Sequence, residues 1–487
     1  MNLTRTTATV KDWLVRQVLF QKLNNPLGYV AMLCIGLATA FVLSKLPLNF
    51  AVLLVGALIA IPIVVGCFLD LFLGIIVMLS AAFFLGLVAK YTTAPIGMAL
   101  DGLLVLMLVG MLVRLIKERD FSFAKSPVSV LIFAWIYYNL LQVINPWAAS
   151  KIAWVYTVRT VALLLAMYFI ACYALNSYKR ILTTVKVIML LGFIAALYSL
   201  KQEWFGFTDA ELAWLHADEE RFMLIFQWDR MRVFSFFSDP TSFGILMAYL
   251  CIFALILASG PFKLWKRLAL VAAAIAMLMG MAYGGSRTPF AMLPAGVVFY
   301  LVLTFKKETI LAGLLFFMAG GALMMKSTNS AVIWRIQSAF RGESSDTIEV
   351  RMKNQERVQP FIHSHPFGAG LGSTGYWGKR FTPDSWLASF AHDSLYVRLA
   401  VETGWIGLII YMSLLFVAMK TSIYYFFRVK DPTIKTIYLG ICVTLFLLAL
   451  ASYPQEAITL LPTSVVFYVM LAIVVRLKDF DPNFKKD

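Results

Sequence analysis

The sequence predicts an all-α polytopic transmembrane helix bundle of about 14 helices (range 12–14), and three observations support that class. Of 487 residues, 61% are hydrophobic and only 14% charged; with a mean hydropathy of +0.81, the chain has more apolar surface than a water-soluble core can hide. Apolar runs of roughly 20 residues, the number a helix needs to cross a hydrocarbon layer of about 30 Å, recur between short polar breaks. Lysine and arginine gather in alternate breaks, as the positive-inside rule requires.

In chain order, residues 1–26 come first. Val10, Leu14 and Val18 recur at helical spacing beside Trp13 and the basic Arg5, Lys11, Arg16 and Lys22, which predicts an amphipathic helix on the cytoplasmic membrane surface. No compact apolar stretch with a small-residue cleavage site follows, so a removed signal peptide is not expected. A single transmembrane domain is predicted over 27–476. Its crossings fall at roughly 27–44, 50–66, 71–89, 96–114, 128–144, 160–176, 182–200, 242–259, 268–284, 288–305, 309–325, 404–420, 436–452 and 458–475. Residues 477–487 form a cytoplasmic tail. Cys34, Cys67, Cys172, Cys251 and Cys442 all lie in apolar runs, so they read as small core residues rather than disulfide partners.

Charge fixes the sidedness. One set of alternate connections holds Arg114, Lys117, Arg119 and Lys125, then Lys179 and Arg180, then Lys263, Lys266 and Arg267, then Lys306 and Lys307, then Lys420, Arg428, Lys430 and Lys435. Arg476, Lys478, Lys485 and Lys486 join that set, which places both termini in the cytoplasm. Two external segments are long, about 201–240 and 326–403, and the second is expected to contain short helices. Long ordered loops usually carry function.

The regions predicted to be external are rich in arginine: Arg159, Arg221, Arg230, Arg232, Arg287, Arg335, Arg341, Arg351, Arg357, Arg380 and Arg398. Topology needs positive charge of either kind, whereas a guanidinium offers paired donors matched to phosphate oxygens. For most of them, pairing with Asp218, Glu219, Glu220, Glu343, Asp346, Glu349 and Glu356 is the simpler reading. Arg287 differs, standing in Gly284-Gly285-Ser286-Arg287-Thr288-Pro289 between two apolar runs, where a charge needs a polar cavity or an anion. Arg232 lies in the loop that returns to the membrane before Asp239 and Pro240, which read as the cap and first turn of the next helix. Spacing does not decide between Arg230 and Arg232.

All four histidines, His216, His363, His365 and His392, fall in the two long segments. His392 opens His392-Asp393-Ser394-Leu395, which runs into Glu402-Thr403-Gly404-Trp405-Ile406-Gly407 and a crossing. An imidazole at the membrane edge can take a proton from an attacking hydroxyl, with Asp393 or Glu402 orienting it; an interfacial cap with Asp393 starting a helix is the equal alternative. His363 and His365 precede Pro366-Phe367-Gly368-Ala369-Gly370-Leu371-Gly372 and are expected to shape a tight turn. No third ligand accompanies His363 and His365, so no metal and no cofactor are expected.

Ser286-Arg287, Arg351, the His365–Gly372 stretch, His392-Asp393-Ser394-Leu395 and Glu402–Gly407 together resemble the O-antigen ligase and O-antigen polymerase superfamily, over roughly residues 220–420. The resemblance implies a bacterial inner-membrane enzyme with a periplasmic site. Such an enzyme takes a glycan from undecaprenyl diphosphate to an acceptor hydroxyl on a glycan, a lipid A core or a protein, in a metal-independent inverting reaction. It implies His392 as the essential histidine, Arg287 as the membrane-edge arginine and Arg232 as the loop arginine, with Arg351 a further diphosphate ligand. Many relatives have asparagine where this chain has Asp393. Ligase and polymerase stay open, and the rival class is a transporter or flippase for a lipid-linked glycan. The near absence of ionisable residues deep in the predicted helices speaks against that rival.

Overall fold

The computed structural model describes residues 48–92, 96–227, 230–326, 331–340, 346–390 and 394–484, with a few positions between 26 and 40. The surface helix expected over 1–26 and most of the crossing expected over 27–44 lie outside the described residues. The chain divides into two compact units, Met1–Gly74 and Ile75–Asp487. In the first, helix α1 (Leu48–Leu69) ends where Asp70 turns the chain; the Asp70 carboxylate accepts from the Phe72 amide at the start of α2 (Leu71–Val88), which runs on into the second unit.

The second unit continues with α3 (Ile96–Glu118), α4 (Pro127–Leu141), and α5 (Lys151–Val158) joined to α6 (Leu164–Ala174) by a π-helical turn over Arg159–Leu163. Then come α7 (Tyr178–Phe205), α8 (Asp209–His216), α9 (Glu219–Ile225), and the short antiparallel strands β1 (Phe226–Gln227) and β2 (Arg230–Met231). The next helices are α10 (Pro240–Ala258), α11 (Leu264–Gly284), α12 (Arg287–Thr304), α13 (Lys307–Met325), α14 (Ala331–Phe340), α15 (Asp346–Ser364) and α16 (Gly375–Phe381). The chain closes with α17 (Leu395–Arg428), α18 (Pro432–Ala451) and α19 (Thr463–Arg476). Among the described residues, eleven helices are long and apolar enough to cross a membrane. The protein is a polytopic all-α membrane bundle.

Polar residues at the breaks start these helices. Ser126, Ser150, Ser177, Asp239 and Asp431 each accept a backbone amide of the first turn, and Pro127, Pro240 and Pro432 follow their caps at positions that need no amide donor. α10 and α18 are buried along most of their length, whereas α13 faces almost wholly outward. Cys67, Cys172, Cys251 and Cys442 are buried free thiols, but Cys34 is exposed, so the core reading does not hold for it.

Two of the expected crossings have helices whose bounds differ from the apolar runs. The run at 458–475 is helical only over α19, whose 14 residues rise roughly 21 Å. Almost every residue of α19 is buried against other helices, as in α10. The run at 404–420 belongs to the 34-residue α17, but Gly404 breaks it with φ 70 and ψ 179, so a short helix over 395–403 precedes the crossing.

The two sets of connections separate to opposite ends of the second unit. At the lysine-rich end, the Tyr173 hydroxyl donates to Glu118 at 2.9 Å, the Lys430 amide donates to Asp481 at 2.7 Å, and a cleft of about 350 Å³ opens between Ser122, Lys125, Arg476, Lys478 and Asp479. The long segments gather at the other end.

Candidate functional site

Helix α7 ends at Gly206, where φ is 83, and the segment to Asp239 folds back on the bundle end. A Thr208–Glu211 capping box opens α8, and Asp218 caps α9. Leu215, Ile225 and Phe234 form a small core here with Phe207, Leu212, Trp214, Phe222 and Met231 packed around it.

Arg232 leaves β2 and turns inward, with 7% of its surface exposed. Its Nε donates to the Gly284 carbonyl at 2.9 Å, one terminal nitrogen donates to the Leu224 carbonyl at 3.3 Å and to Gln227 Oε1 at 3.4 Å, and the other donates to Ser286 Oγ. Arg230, two residues earlier in β2, pairs with Glu203. The two arginines that spacing left equivalent therefore differ: Arg232 binds the Gly284–Ser286 turn, and the half-buried Arg230 is held on Glu203.

That turn is built by Gly285, whose φ of 61 ends α11, and by Ser286, which stands before α12 and donates its hydroxyl to Thr241 Oγ1 at 3.1 Å. Arg287 is the first residue of α12 and is exposed. The structure thus joins Arg232 to the very turn that carries Arg287 and to the first turn of α10. A helix N-terminus adds its own positive potential at such a point.

The glycine-rich stretch forms the expected tight turn. Gly368, Gly370 and Gly372 all have positive φ, and the turn lies directly on the α17 break: the Ala369 amide donates to the Val401 carbonyl at 2.8 Å and the Gly370 amide to the Glu402 carbonyl at 3.0 Å. A Cβ on Gly368 would come within 2.5 Å of the Gly404 nitrogen, and one on Gly404 would strike the Pro366 carbonyl. The connection after α4 holds the other side, where Gln142 and Asn145 donate to the Phe367 carbonyl at 3.1 and 3.0 Å and Tyr138 donates to the Thr403 carbonyl at 2.6 Å. His365 shapes this turn as expected: Phe361 stacks on its ring, and its carbonyl accepts from the Gly368 amide at 2.9 Å.

Glu402 is buried beneath the turn. It accepts from Thr374 Oγ1 at 2.7 Å and pairs with Arg398 at 3.4 Å, while Arg398 also reaches Glu456 at 2.7 Å. His392 and Asp393 lie outside the described residues, as does the side chain of Arg351, whose backbone is in α15. The flanks of His392 are held on both sides. Phe390 packs with Val358, Ala369, Leu387 and Val401. Ser394 caps α17, and the Leu395 amide donates to the Ser452 carbonyl at 3.1 Å.

Ser452 follows α18, which runs antiparallel to α10, since Gly260 just after α10 meets Thr436 near the start of α18. α18 packs on α12 through Phe299 and Phe446, whose rings are 4.2 Å apart. The beginnings of α10, α12 and α17 and the end of α18 therefore share one end of the bundle. Arg232, Arg287, Glu402 and the flanks of His392 all stand there.

Of the other arginines in the segments expected outside, Arg221 pairs with Asp218 at 3.3 Å as expected, whereas Arg357 and Arg380 lie over the rings of Trp386 and Trp377. Arg159 lies within the π-helical turn and pairs with Asp101 at 3.1 Å. Sequence reasoning missed a buried network of Lys90, Gln202, Glu211 and Ser235 beneath Arg232. A lysine at the end of a crossing that the charge pattern predicts to be outer, where the charge rule disfavours it, together with the Thr208–Glu211 box, was the available signal.

Residues 272–412 match the model of the O-antigen ligase family. The match includes Arg287, Arg351, His392, Asp393 and Glu402; Arg232 precedes it. A search of curated proteins gave no match.

Proposed function

We propose that the chain is a membrane glycan transferase of ligase or polymerase type that moves a glycan from undecaprenyl diphosphate to an acceptor hydroxyl at the periplasmic face of a bacterial inner membrane, with both termini in the cytoplasm; the match of residues 272–412 to the O-antigen ligase family within a membrane bundle supports this reading. The observation that carries this reading is the bond from the buried Arg232 to the Gly284–Ser286 turn, which joins two arginines on separate segments at one helix start. Two guanidinium groups so linked match a diphosphate leaving group.

In the proposed step the acceptor oxygen attacks the anomeric carbon from the face opposite the diphosphate. His392 takes the hydroxyl proton, the new glycosidic C–O bond forms, and the bond from carbon to phosphate oxygen breaks with its electron pair passing to undecaprenyl diphosphate. Arg232 and Arg287 stabilise that developing charge, and Arg351 is a third candidate. Asp393 orients the imidazole. Glu402, committed to Thr374 and Arg398, acts by fixing the start of α17 and the glycine turn rather than by accepting a proton.

Loss of the gene tests the reading in cells. Accumulation of lipid-linked glycan on the outer leaflet is expected; accumulation on the inner leaflet would instead identify a flippase. In purified protein, Arg287→Ala is expected to lower transfer on the order of 10²–10³-fold, and undiminished transfer would refute its role.

A further inference from the structure

Lys90 and Glu211 are both fully buried and lie 3.8 Å apart. An ion pair so placed rarely stabilises a fold better than apolar side chains of the same size, so its use here calls for another reason. The partners supply one. Lys90 Nζ donates to the Ser235 carbonyl at 2.9 Å and sits 4.3 Å over the Phe234 ring. Glu211 Oε1 accepts from Gln202 Nε2 at 2.7 Å and from the Tyr198 hydroxyl at 3.1 Å. Gln202 in turn accepts the Ser235 amide at 2.7 Å and the Phe234 amide at 3.3 Å, and donates to the Ser235 carbonyl at 3.2 Å.

Lys90 and Gln202, which Glu211 ties together, both bond to residues 234–235, where Ser235 adopts φ 53, a left-handed conformation unusual for a side-chain-bearing residue. Arg232 stands two residues upstream. A backbone held in that conformation sets the path by which Arg232 enters the bundle end. Apolar substitutes for Lys90 and Glu211 would fill the volume but leave the Ser235 carbonyl without its lysine donor.

We infer that Lys90, Glu211 and Gln202 are positioning residues that fix the 232–235 backbone so that the Arg232 guanidinium meets the donor diphosphate, making the end of α2 part of the donor site. The inference rests on the proposed role of Arg232.

Its test uses the full-length protein in proteoliposomes with an undecaprenyl-diphosphate glycan donor and a soluble or lipid acceptor. The double variant Lys90→Met with Glu211→Gln removes both charges together, so neither is left buried without its partner. It is expected to insert at wild-type abundance, with kcat/KM for the donor lowered about tenfold or more and the acceptor KM unchanged. Gln202→Met, which removes no charge and leaves the Lys90–Glu211 pair in place while taking away one donor to Glu211, is expected to show the same donor-side loss and carries the test if the double variant fails to fold. Wild-type donor constants in a folded variant, or losses that vanish once rates are normalised to folded protein, would overturn the inference. Arg232→Ala measured alongside separates the two ideas: if it transfers normally, the reading of Arg232 fails; if it is inactive while the Lys90, Glu211 and Gln202 variants are normal, only the positioning role fails.

Discussion

Replacing Arg232 by alanine removes a guanidinium that bridges three segments. Its bonds to Gly284, Leu224, Gln227 and Ser286 are with neutral acceptors, and truncation leaves the Gly284 carbonyl and the Ser286 hydroxyl without that donor in a buried turn. At about 1–3 kcal/mol for each of the two strongest lost bonds, the structural cost is roughly 2–6 kcal/mol. The catalytic cost is separate: loss of one preorganised charge donor lowers the rate on the order of 10²–10³-fold. Both are measurable on one preparation, by thermal unfolding in detergent and by transfer in proteoliposomes normalised to folded protein. Arg232→Lys sharpens the result, because one ammonium keeps the charge but cannot hold Gly284, Leu224 and Ser286 together. We expect it to retain abundance better than alanine yet lose at least about tenfold in transfer. Transfer within about threefold of wild type in folded Arg232→Ala protein would refute the reasoning.

Three further outcomes are expected. Gly404→Ala places a Cβ against the Pro366 carbonyl at a backbone conformation open essentially to glycine, so thermal unfolding should show a loss of at least about 1–3 kcal/mol; an unchanged melting temperature would contradict the packing described. Arg380→Ala, which removes an exposed guanidinium beside Trp377 and Phe381, should leave transfer within about twofold, and a tenfold loss would show that the external arginines act together rather than selectively. Burial pushes Lys90 down to about 8 from the ordinary 10.5, against the opposing pull of Glu211, whose carboxylate also meets the Tyr198 hydroxyl. Between those pH values the unfolded chain binds more protons, so this group makes the fold more stable as pH rises through the window. Lys90→Met should lack that increment in melting temperature, and an identical pH slope would contradict it.

The bundle was legible because lipid demands apolar runs of fixed length, and the caps at Asp239 and Pro240 follow from local chemistry alone. The start of α19 was not, since the apolar run at 458–475 does not show where its helix begins. Gly404 marked where the crossing begins, but not the short helix before it. Within the site, Arg287 stood out by its place between two apolar runs, whereas Arg230 and Arg232 are separated only by the partners that the folded chain brings to each, Glu203 for one and the Gly284–Ser286 turn for the other. Lys90 and Glu211 lie 121 positions apart, and nothing local pairs them. Glu402 was recognised as a site residue, yet its engagement with Thr374 and Arg398 depends on the glycine turn folding over it.

The central claim is that a histidine beside a pair of arginines transfers a glycan from a lipid diphosphate. It is tested most directly by single-turnover transfer in proteoliposomes, comparing wild type with His392→Ala at saturating donor. The account predicts that the variant folds and binds the donor as wild type does but forms product on the order of 10²–10⁴-fold more slowly. Product formation at the wild-type rate would contradict it.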